Sequence, residues 1–207
     1  MIIAKSRQRW GSFVAAMDES RIRYVALSAA IWGLSAAICG SNAFGFTPST
    51  SASATHVEVA FTPGDDISGL IVKRIGQAKE RVQMQAYLFT DRKIANALLA
   101  ARKRGVEVEI VGDRTQQQAG GLPHLKALER AGARVYLNGS LAASHNKIVI
   151  VDGASLAAAV ITGSYNFTQA AQAKNAENVV VISGNRAVTD RFVDNFERHR
   201  SQSSPWP

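Results

Sequence analysis

The sequence predicts an α/β fold in which helices cover both faces of a mixed, largely buried β-sheet. Strand-like and helix-like segments alternate between residues 56 and 199, as they do in layered α/β domains. The run Lys147–Val151 consists almost entirely of β-branched residues, which indicates a strand with both faces buried. Apolar residues make up 46% of the 207 residues and charged residues 19%, a balance typical of globular domains.

The first half of the domain is predicted to contain four strands and three helices. Apolar residues alternate in the strands and recur at a helical period in the helices. The predicted strands are His56–Phe61, Val82–Phe89, Val106–Val111 and Ala133–Leu137. The predicted helices are Ile67–Lys79, Asp91–Arg104 and Pro123–Ala131. The turn at residues 62–66 is expected to cap the first helix, and Gly105 and Gly132 are expected to end the other two.

The second half is predicted to begin at Ser144 and to build the rest of the sheet around Lys147–Val151. The predicted elements that follow are a strand at Ala157–Thr162, a helix at Phe167–Lys174, a strand at Asn178–Ile182 and a helix at Ala187–His199. The first of these strands is expected to pair back onto Lys147–Val151. The alternation of strands and helices therefore continues to the end of the domain.

The first 43 residues are typical of a secretory signal peptide. Five basic residues precede an uncharged run at residues 24–40, and small residues follow it. The run has 17 residues, which is short for a membrane span of about 20 residues. We therefore expect a secreted or periplasmic protein, with an uncleaved inner-membrane anchor as the alternative. Translation from Met17 would give a more conventional leader.

The remaining chain is predicted to hold one catalytic domain. Residues 44–55 are rich in Ser and Thr and form a flexible lead-in, residues 56–200 form the domain, and residues 201–207 form a tail. Loss of residues 1–43 removes five basic and two acidic residues, so the net charge falls from +8 to +5. This charge favours anionic partners such as nucleic acid. The single cysteine, Cys39, lies in the leader, which excludes disulfides and a cysteine nucleophile from the domain.

Residues 144–166 contain the polar groups that are suited to chemistry. His145 and Lys147 are two residues apart at the start of a buried strand, so their side chains leave the same face. A lysine there needs an anion or an acidic partner, because burial of an unpaired charge is costly. Asp152, at the far end, is expected to fix that strand end or to help hold the basic groups. Ser164 and Asn166 add neutral hydrogen-bond donors after a tight turn at Gly163.

These groups fit the requirements of phosphodiester chemistry. A histidine can serve as nucleophile or as acid and base, because its pKa lies near neutrality. Lys147 would supply a point charge for a phosphate oxygen, and Ser164 and Asn166 would supply donors where negative charge develops. The set needs no metal ion and no cofactor, and the sequence predicts neither.

The motif H-x-K-x4-D, followed by G-S-x-N, resembles the signature of the phospholipase D superfamily. The single motif copy, the segment Gln85–Thr90 and the segment Asn175–Asn178 resemble the small bacterial Nuc-type endonucleases of that superfamily. The resemblance covers about residues 57–200, and it implies a phospholipase D/nuclease-like sandwich. One departure is the connection between Asp152 and Gly163, which is longer than the family usually has and is expected to extend a hairpin turn.

The resemblance implies a role for each matching residue. His145 would form a covalent phosphohistidine, and Lys147, Ser164 and Asn166 would bind the phosphate. Glu177 would accept a hydrogen bond from the histidine and orient it.

Asp152 would be more structural than chemical. Family members with one motif form homodimers in which two copies share one active-site cleft, so that one His145 attacks while the other acts as the acid.

The predicted function is a metal-independent, non-specific endonuclease on DNA or RNA. The basic charge and compact chain favour nucleic acid, and the sequence shows no long apolar loop for docking on lipid. A phospholipase D that releases a head group such as choline from phosphatidylcholine is the alternative. A second alternative is a non-catalytic protein that binds nucleic acid or a membrane surface. Arg102–Arg104 is interpreted as a helix end or as a contact to a nucleic-acid backbone.

Overall fold

The computed structural model describes residues 54–206, so the predicted signal peptide and most of the predicted lead-in lie outside the described residues. The strands are β1 (His56–Thr62), β2 (Arg81–Ala86), β3 (Glu107–Asp113), β4 (Arg134–Asn138), β5 (Lys147–Val151), β6 (Ala159–Gly163), β7 (Glu177–Ser183) and β8 (Ser204–Pro205). The helices are α1 (Ile67–Gln77), α2 (Arg92–Lys103), α3 (Arg114–Gln118), α4 (Leu125–Arg130), α5 (Gln169–Ala173) and α6 (Arg186–Ser201).

The strands form one mixed sheet in the order β1-β7-β6-β5-β2-β3-β4-β8. Strands β2, β3 and β4 run parallel to one another, because the helices α2 and α4 cross between them. The other pairs are antiparallel, including β5 with β2 and β5 with β6. The predicted pairing of the segment after residue 157 with Lys147–Val151 is thus confirmed.

Helices pack against both faces of the sheet, which confirms the predicted fold class. On one face α1, α2 and α4 build the larger core, in which Ile67, Ile71 and Leu98 are fully buried. Burial of each such side chain stabilises the fold by about 1.5–3 kcal/mol. On the other face α6 packs across strands β2 to β6, and its Phe196 is buried against Ile150 and other side chains of the sheet.

Helix α6 leaves part of its own face of the sheet open at the β1 edge. Val57, Val59 and Phe61 of β1 are each more than half exposed. Val57 pairs with Ile182, which also pairs with Val160 beneath α6. Paired residues of neighbouring strands share a face, so these side chains continue the surface that α6 covers. We refer to Val57, Val59, Phe61, Val180 and Ile182 as the uncovered strip.

The chain end differs from the prediction of a tail at residues 201–207. Helix α6 continues to Ser201, and β8 adds an antiparallel edge strand beside β4. The backbone N–H of Trp206 donates to the carbonyl oxygen of Val135 at 2.8 Å, and its side chain packs against the larger core. The gain from burying this aromatic surface accounts for the ordered end. Among residues 54–206, none of the helices is both long enough and apolar enough to cross a membrane.

Candidate active site

The paired basic residues lie where the loop at residues 139–146 enters β5. Nζ of Lys147 is 3.0 Å from Nδ1 and 3.1 Å from Nε2 of His145. The ammonium also donates to the carbonyl oxygen of His145 at 2.8 Å. His145 is exposed, whereas Lys147 is only 7% exposed. The structure therefore brings together the two side chains that the sequence predicted to share a face, one open to substrate and one beneath it.

The charge of Lys147 is held in an unfavourable setting. Burial lowers the pKa of Lys147, and the negative charge of Glu177 partly offsets this effect. Removal of an ammonium from water costs free energy unless an anion is nearby. A phosphate oxygen at this position would therefore stabilise the ammonium, so the site is suited to an anionic ligand.

Glu177 begins β7 and lies beside Ser164, which follows β6. The Ser164 hydroxyl donates to Oε2 of Glu177 at 2.5 Å, and Nδ2 of Asn175 donates to Oε1 at 2.9 Å. The hydrogen bond from His145 to Glu177 that the resemblance implied is absent from the described residues, because both ring nitrogens face Nζ of Lys147. In this arrangement Glu177 orients Ser164 and acts on Lys147 through its charge.

Asn166 lies two residues beyond Ser164, with its amide partly buried. Its Oδ1 atom is buried and has no hydrogen-bond partner among the described residues. A buried oxygen without a partner costs about 1–3 kcal/mol. Among the described residues, the Asn166 side chain forms no hydrogen bond with the other predicted phosphate-binding residues, Lys147 and Ser164. A buried amide oxygen without a partner is expected in a side chain that binds a ligand.

Asp152 has a structural task at the opposite end of β5. Its carboxylate accepts hydrogen bonds from the backbone N–H groups of Lys79, Glu80 and Arg81 at 2.8–2.9 Å. Asp152 lies seven positions along the chain from His145, which is about 23 Å at the usual rise of a strand. Asp152 therefore cannot hold the basic groups. Of the two roles that the sequence allowed, its contacts match the one in which it fixes the end of the strand.

The long connection after Asp152 lies at this same far end. Residues 152–158 form the turn between β5 and β6, and Leu156 at its tip is 84% exposed. The prediction that the additional residues extend a hairpin turn fits this position. Since the turn is at the other end of β5 from His145, its length does not affect the rim of the active site.

Two positions that sequence reasoning missed support the loop before His145. Asp113 ends β3 and is fully buried, and its Oδ2 accepts the backbone N–H of Ser144 at 2.7 Å. Burial alone would raise the pKa of Asp113, but hydrogen bonds from Thr115, Ser144 and Gln116 hold the pKa below its usual range. Tyr87 lies directly after β2, with its ring centroid 4.4 Å from that of His145. The only sequence signal for Tyr87 was its place in the segment Gln85–Thr90.

The basic cluster Arg102–Arg104 is used for structure at both of its arginines. The Arg102 guanidinium donates to the carbonyl oxygen of Val106 at 2.7 Å, and that of Arg104 donates to the carbonyl oxygen of Ile75 at 3.1 Å. These contacts tie the end of α2 to its neighbours, as the helix-end interpretation predicts. Within residues 54–206, no group of three or more His, Asp and Glu side chains is arranged to hold a metal ion.

An exposed imidazole above a buried ammonium, with a hydroxyl close by, is suited to displacing one ester oxygen of a phosphodiester. On this α/β sandwich, the site defines a phosphodiester hydrolase. Its relatives specify the kind: residues 71–200 match the family described as the PLD-like domain of cardiolipin synthase. The chain belongs to the phospholipase D superfamily.

Individual relatives agree with this assignment. The chain is 35% identical over 149 residues to a phospholipase D of Rickettsia felis, which covers 72% of each chain. It is 30% identical over 129 residues to the mitochondrial cardiolipin hydrolase of Xenopus tropicalis, covering 62% of this chain and 59% of that one. The crystal structure of Nuc, a phospholipase D family member from Salmonella typhimurium, has a TM-score of 0.67 and 32% identity, and the match covers 74% of this chain and 99% of Nuc.

Proposed function

We propose that this chain is a metal-independent endonuclease that hydrolyses DNA or RNA through a covalent phosphohistidine. The observation that carries the proposal is the pairing of exposed His145 with buried Lys147. The net charge, which is +5 without residues 1–43, favours a polyanionic substrate. The likeness to Nuc over nearly the whole of that small chain supports a compact, single-motif enzyme of the same kind.

The reaction would proceed in two displacements. A ring nitrogen of His145 attacks phosphorus, a nitrogen–phosphorus bond forms, and the bond from phosphorus to one ester oxygen breaks. A proton donor supplies that oxygen with a proton as it leaves. Water then attacks phosphorus from the side opposite His145 and gives its proton to the same group that had protonated the leaving oxygen, and the nitrogen–phosphorus bond breaks to release a phosphomonoester. Lys147 and Ser164 would stabilise the phosphate oxygens in both steps.

The proton donor would come from a second copy of the chain. The uncovered strip is apolar and continues the sheet face that α6 covers. One end of the strip, Phe61, pairs with Asn178, the neighbour of Glu177. A second copy seated on this strip would lie beside the active site and bring its own His145 to act as the acid. A stable interface of this type buries about 800 Å² per partner.

Cleavage of a phospholipid head group is the second candidate. The relatives named phospholipase D and cardiolipin hydrolase support it. The loop that precedes His145 also exposes a short apolar segment, in which Leu141 is about half exposed. This segment favours contact with the apolar part of a lipid more than the sequence suggested. A non-catalytic binding protein would need neither the exposed imidazole nor the buried ammonium.

Residues 1–43 are proposed to direct the protein to the compartment that contains its substrate. Their basic, apolar and small-residue regions support export to the periplasm or the medium, with retention as an inner-membrane anchor as the alternative. Mass spectrometry of the protein recovered from cell fractions would distinguish a chain that begins near residue 44 from an intact, membrane-bound chain.

The function is tested by incubating the full chain with plasmid DNA, RNA or phosphatidylcholine vesicles in excess EDTA. His145→Ala removes the nucleophile, and His124→Gln is the matched control, since it changes a histidine whose ring contacts the carbonyl oxygen of Thr90 and the ring of Phe89. We expect the wild type and His124→Gln to cut nucleic acid and His145→Ala to be at least about 10³-fold slower.

Each other result identifies a different function. Release of choline without nuclease activity would select the phospholipase. Activity that EDTA abolishes would reject the metal-independent mechanism. Binding of DNA by a folded wild type and His145→Ala alike, with no turnover of any substrate, would identify a binding protein.

A further inference from the structure

One aromatic side chain borders both members of the paired site. The backbone N–H of Tyr87 donates to the carbonyl oxygen of Asn146 at 3.2 Å, which is the residue between His145 and Lys147. The Tyr87 ring is tilted by 55° against the His145 ring, with 4.4 Å between the centroids. Nζ of Lys147 lies 4.9 Å from the centre of the Tyr87 ring. A change at Tyr87 would therefore reach both groups.

The ring suits the needs of a buried ammonium. The face of an aromatic ring attracts a cation, and the attraction grows when the cation is shielded from water. A carboxylate in the same place would pair with Lys147 and compete with the phosphate of a substrate. An aromatic ring stabilises the charge of Lys147 without accepting a hydrogen bond from its ammonium in competition with phosphate oxygens.

Tyr87 is itself held by the short helix α3. Its hydroxyl accepts a hydrogen bond from Nε2 of Gln116 at 3.0 Å. The backbone N–H of Gln116 donates to Oδ1 of Asp113 at 2.9 Å, and Oδ2 of Asp113 accepts the N–H of Ser144. One buried carboxylate thus anchors both the helix that holds Tyr87 and the loop that carries His145.

We propose that Tyr87 is a positioning residue that orients the His145 ring and the Lys147 ammonium, with Gln116 fixing its own orientation. The effect on turnover rests on the proposed function, whereas the effect on phosphate binding does not. His145 is exposed, and contact with a fixed ring limits the directions that its imidazole can take. Small displacements of reacting groups reduce rates by up to about 100-fold.

Two substitutions separate the ring from the hydroxyl. Tyr87→Phe keeps the ring, and Tyr87→Leu keeps an apolar side chain without an aromatic face. With bis(p-nitrophenyl) phosphate as substrate of the full chain, we expect kcat/KM to fall about 30-fold for Tyr87→Leu and less than about threefold for Tyr87→Phe. Titration with inorganic phosphate, followed by phosphorus NMR, should show binding about three- to tenfold weaker for Tyr87→Leu only.

Tyr136→Leu is the matched control. The Tyr136 ring also lies near a cation, 5.7 Å from the Arg200 guanidinium, and it is also partly buried. This substitution removes the same ring and the same kind of contact from β4, so both measurements should stay at the wild-type values. Circular dichroism would establish that each variant is folded.

The results distinguish this proposal from the proposed function. A folded Tyr87→Leu with wild-type turnover and phosphate affinity overturns the role of Tyr87 and leaves the enzyme assignment standing. Equal losses in Tyr87→Phe and Tyr87→Leu overturn the role of the ring. If the wild type hydrolyses no phosphodiester, the proposed function fails, and phosphate affinity alone decides the role of Tyr87.

A second variant covers the case in which Tyr87→Leu does not fold. Gln116→Met removes the hydrogen bond to the Tyr87 hydroxyl and keeps a long side chain on α3. We expect a fall of about two- to threefold in kcat/KM, as for Tyr87→Phe, because both substitutions remove the same hydrogen bond and leave the ring in place. Wild-type kinetics and phosphate affinity for a folded Gln116→Met would then overturn the proposal.

Discussion

Strand β5 is flanked at its two ends by polar groups that are held in opposite ways. At the far end the Asp152 carboxylate accepts three backbone N–H groups, so its charge is satisfied within the chain. At the near end Lys147 is buried, its neighbour His145 is exposed, and an oxygen of Asn166 is without a partner among the described residues. A satisfied end stabilises a fold, whereas an unsatisfied end is available for a ligand. Lys147 is the first residue of β5 and Asp152 follows its last residue, so the four residues between them in the motif are the rest of the strand.

The largest expected effect on this comparison comes from Lys147→Met. Loss of the ammonium should reduce phosphodiester hydrolysis by about 10²–10³-fold, the usual effect of removing one group that stabilises developing charge. Steady-state kinetics on bis(p-nitrophenyl) phosphate would measure it. Activity within threefold of the wild type would show that the near end does not need its cation.

The same variant should gain stability at neutral pH. Burial lowers the pKa of Lys147, so the unfolded chain binds the proton more tightly than the folded chain. The unfolding free energy of the wild type should therefore rise with pH between the folded and the unfolded pKa of this lysine, and below that range the full penalty applies. At neutral pH Lys147→Met should have a higher unfolding free energy than the wild type, and this free energy should not rise with pH over that range. Urea unfolding at several pH values would measure both.

The next largest effect is expected from a substitution that tests whether one chain alone supplies every group that the active site needs. Val59→Asp places a charge in the middle of the uncovered strip, which would prevent a second copy from packing there. We expect a monomer with activity lower by about 10–100-fold, because the acid for the leaving oxygen is lost. Light scattering combined with kinetics would measure both properties. Glu58→Gln, on the other face of β1, is the control; a fully active monomer of Val59→Asp would reject the shared cleft.

The smallest effect on activity is expected from Asp152→Ala. Loss of three hydrogen bonds from backbone donors should lower the unfolding free energy by about 2–4 kcal/mol. Activity per folded molecule should change less than threefold, since Asp152 lies at the other end of the strand. Urea unfolding and kinetics below the transition would test both values. Stability within 0.5 kcal/mol of the wild type, or a hundredfold loss of activity in folded protein, would contradict the division between the two ends.

The sequence was sufficient for the layers of the fold and for the pair His145 and Lys147. Apolar periodicity reflects burial, and residues two apart on a strand share a face whatever surrounds them. The contacts of Glu177 and Tyr87 could not be predicted from the sequence, because each joins segments that are distant along the chain. Helix α3 has five residues without an apolar period and no buried residue, so its position is set by the cap at Asp113 rather than by a pattern. The two-residue strand β8 also has no sequence pattern of its own, and the packing of Trp206 against the larger core holds it in place.

The turn at residues 152–158 makes this enzyme suitable for engineering. Its tip at Leu156 faces solvent, Asp152 anchors its base, and the whole length of β5 separates it from His145. Exposed turns of this kind tolerate inserted sequence. A purification tag or a fluorescent reporter could therefore be inserted after Leu156, which would leave both chain termini unaltered.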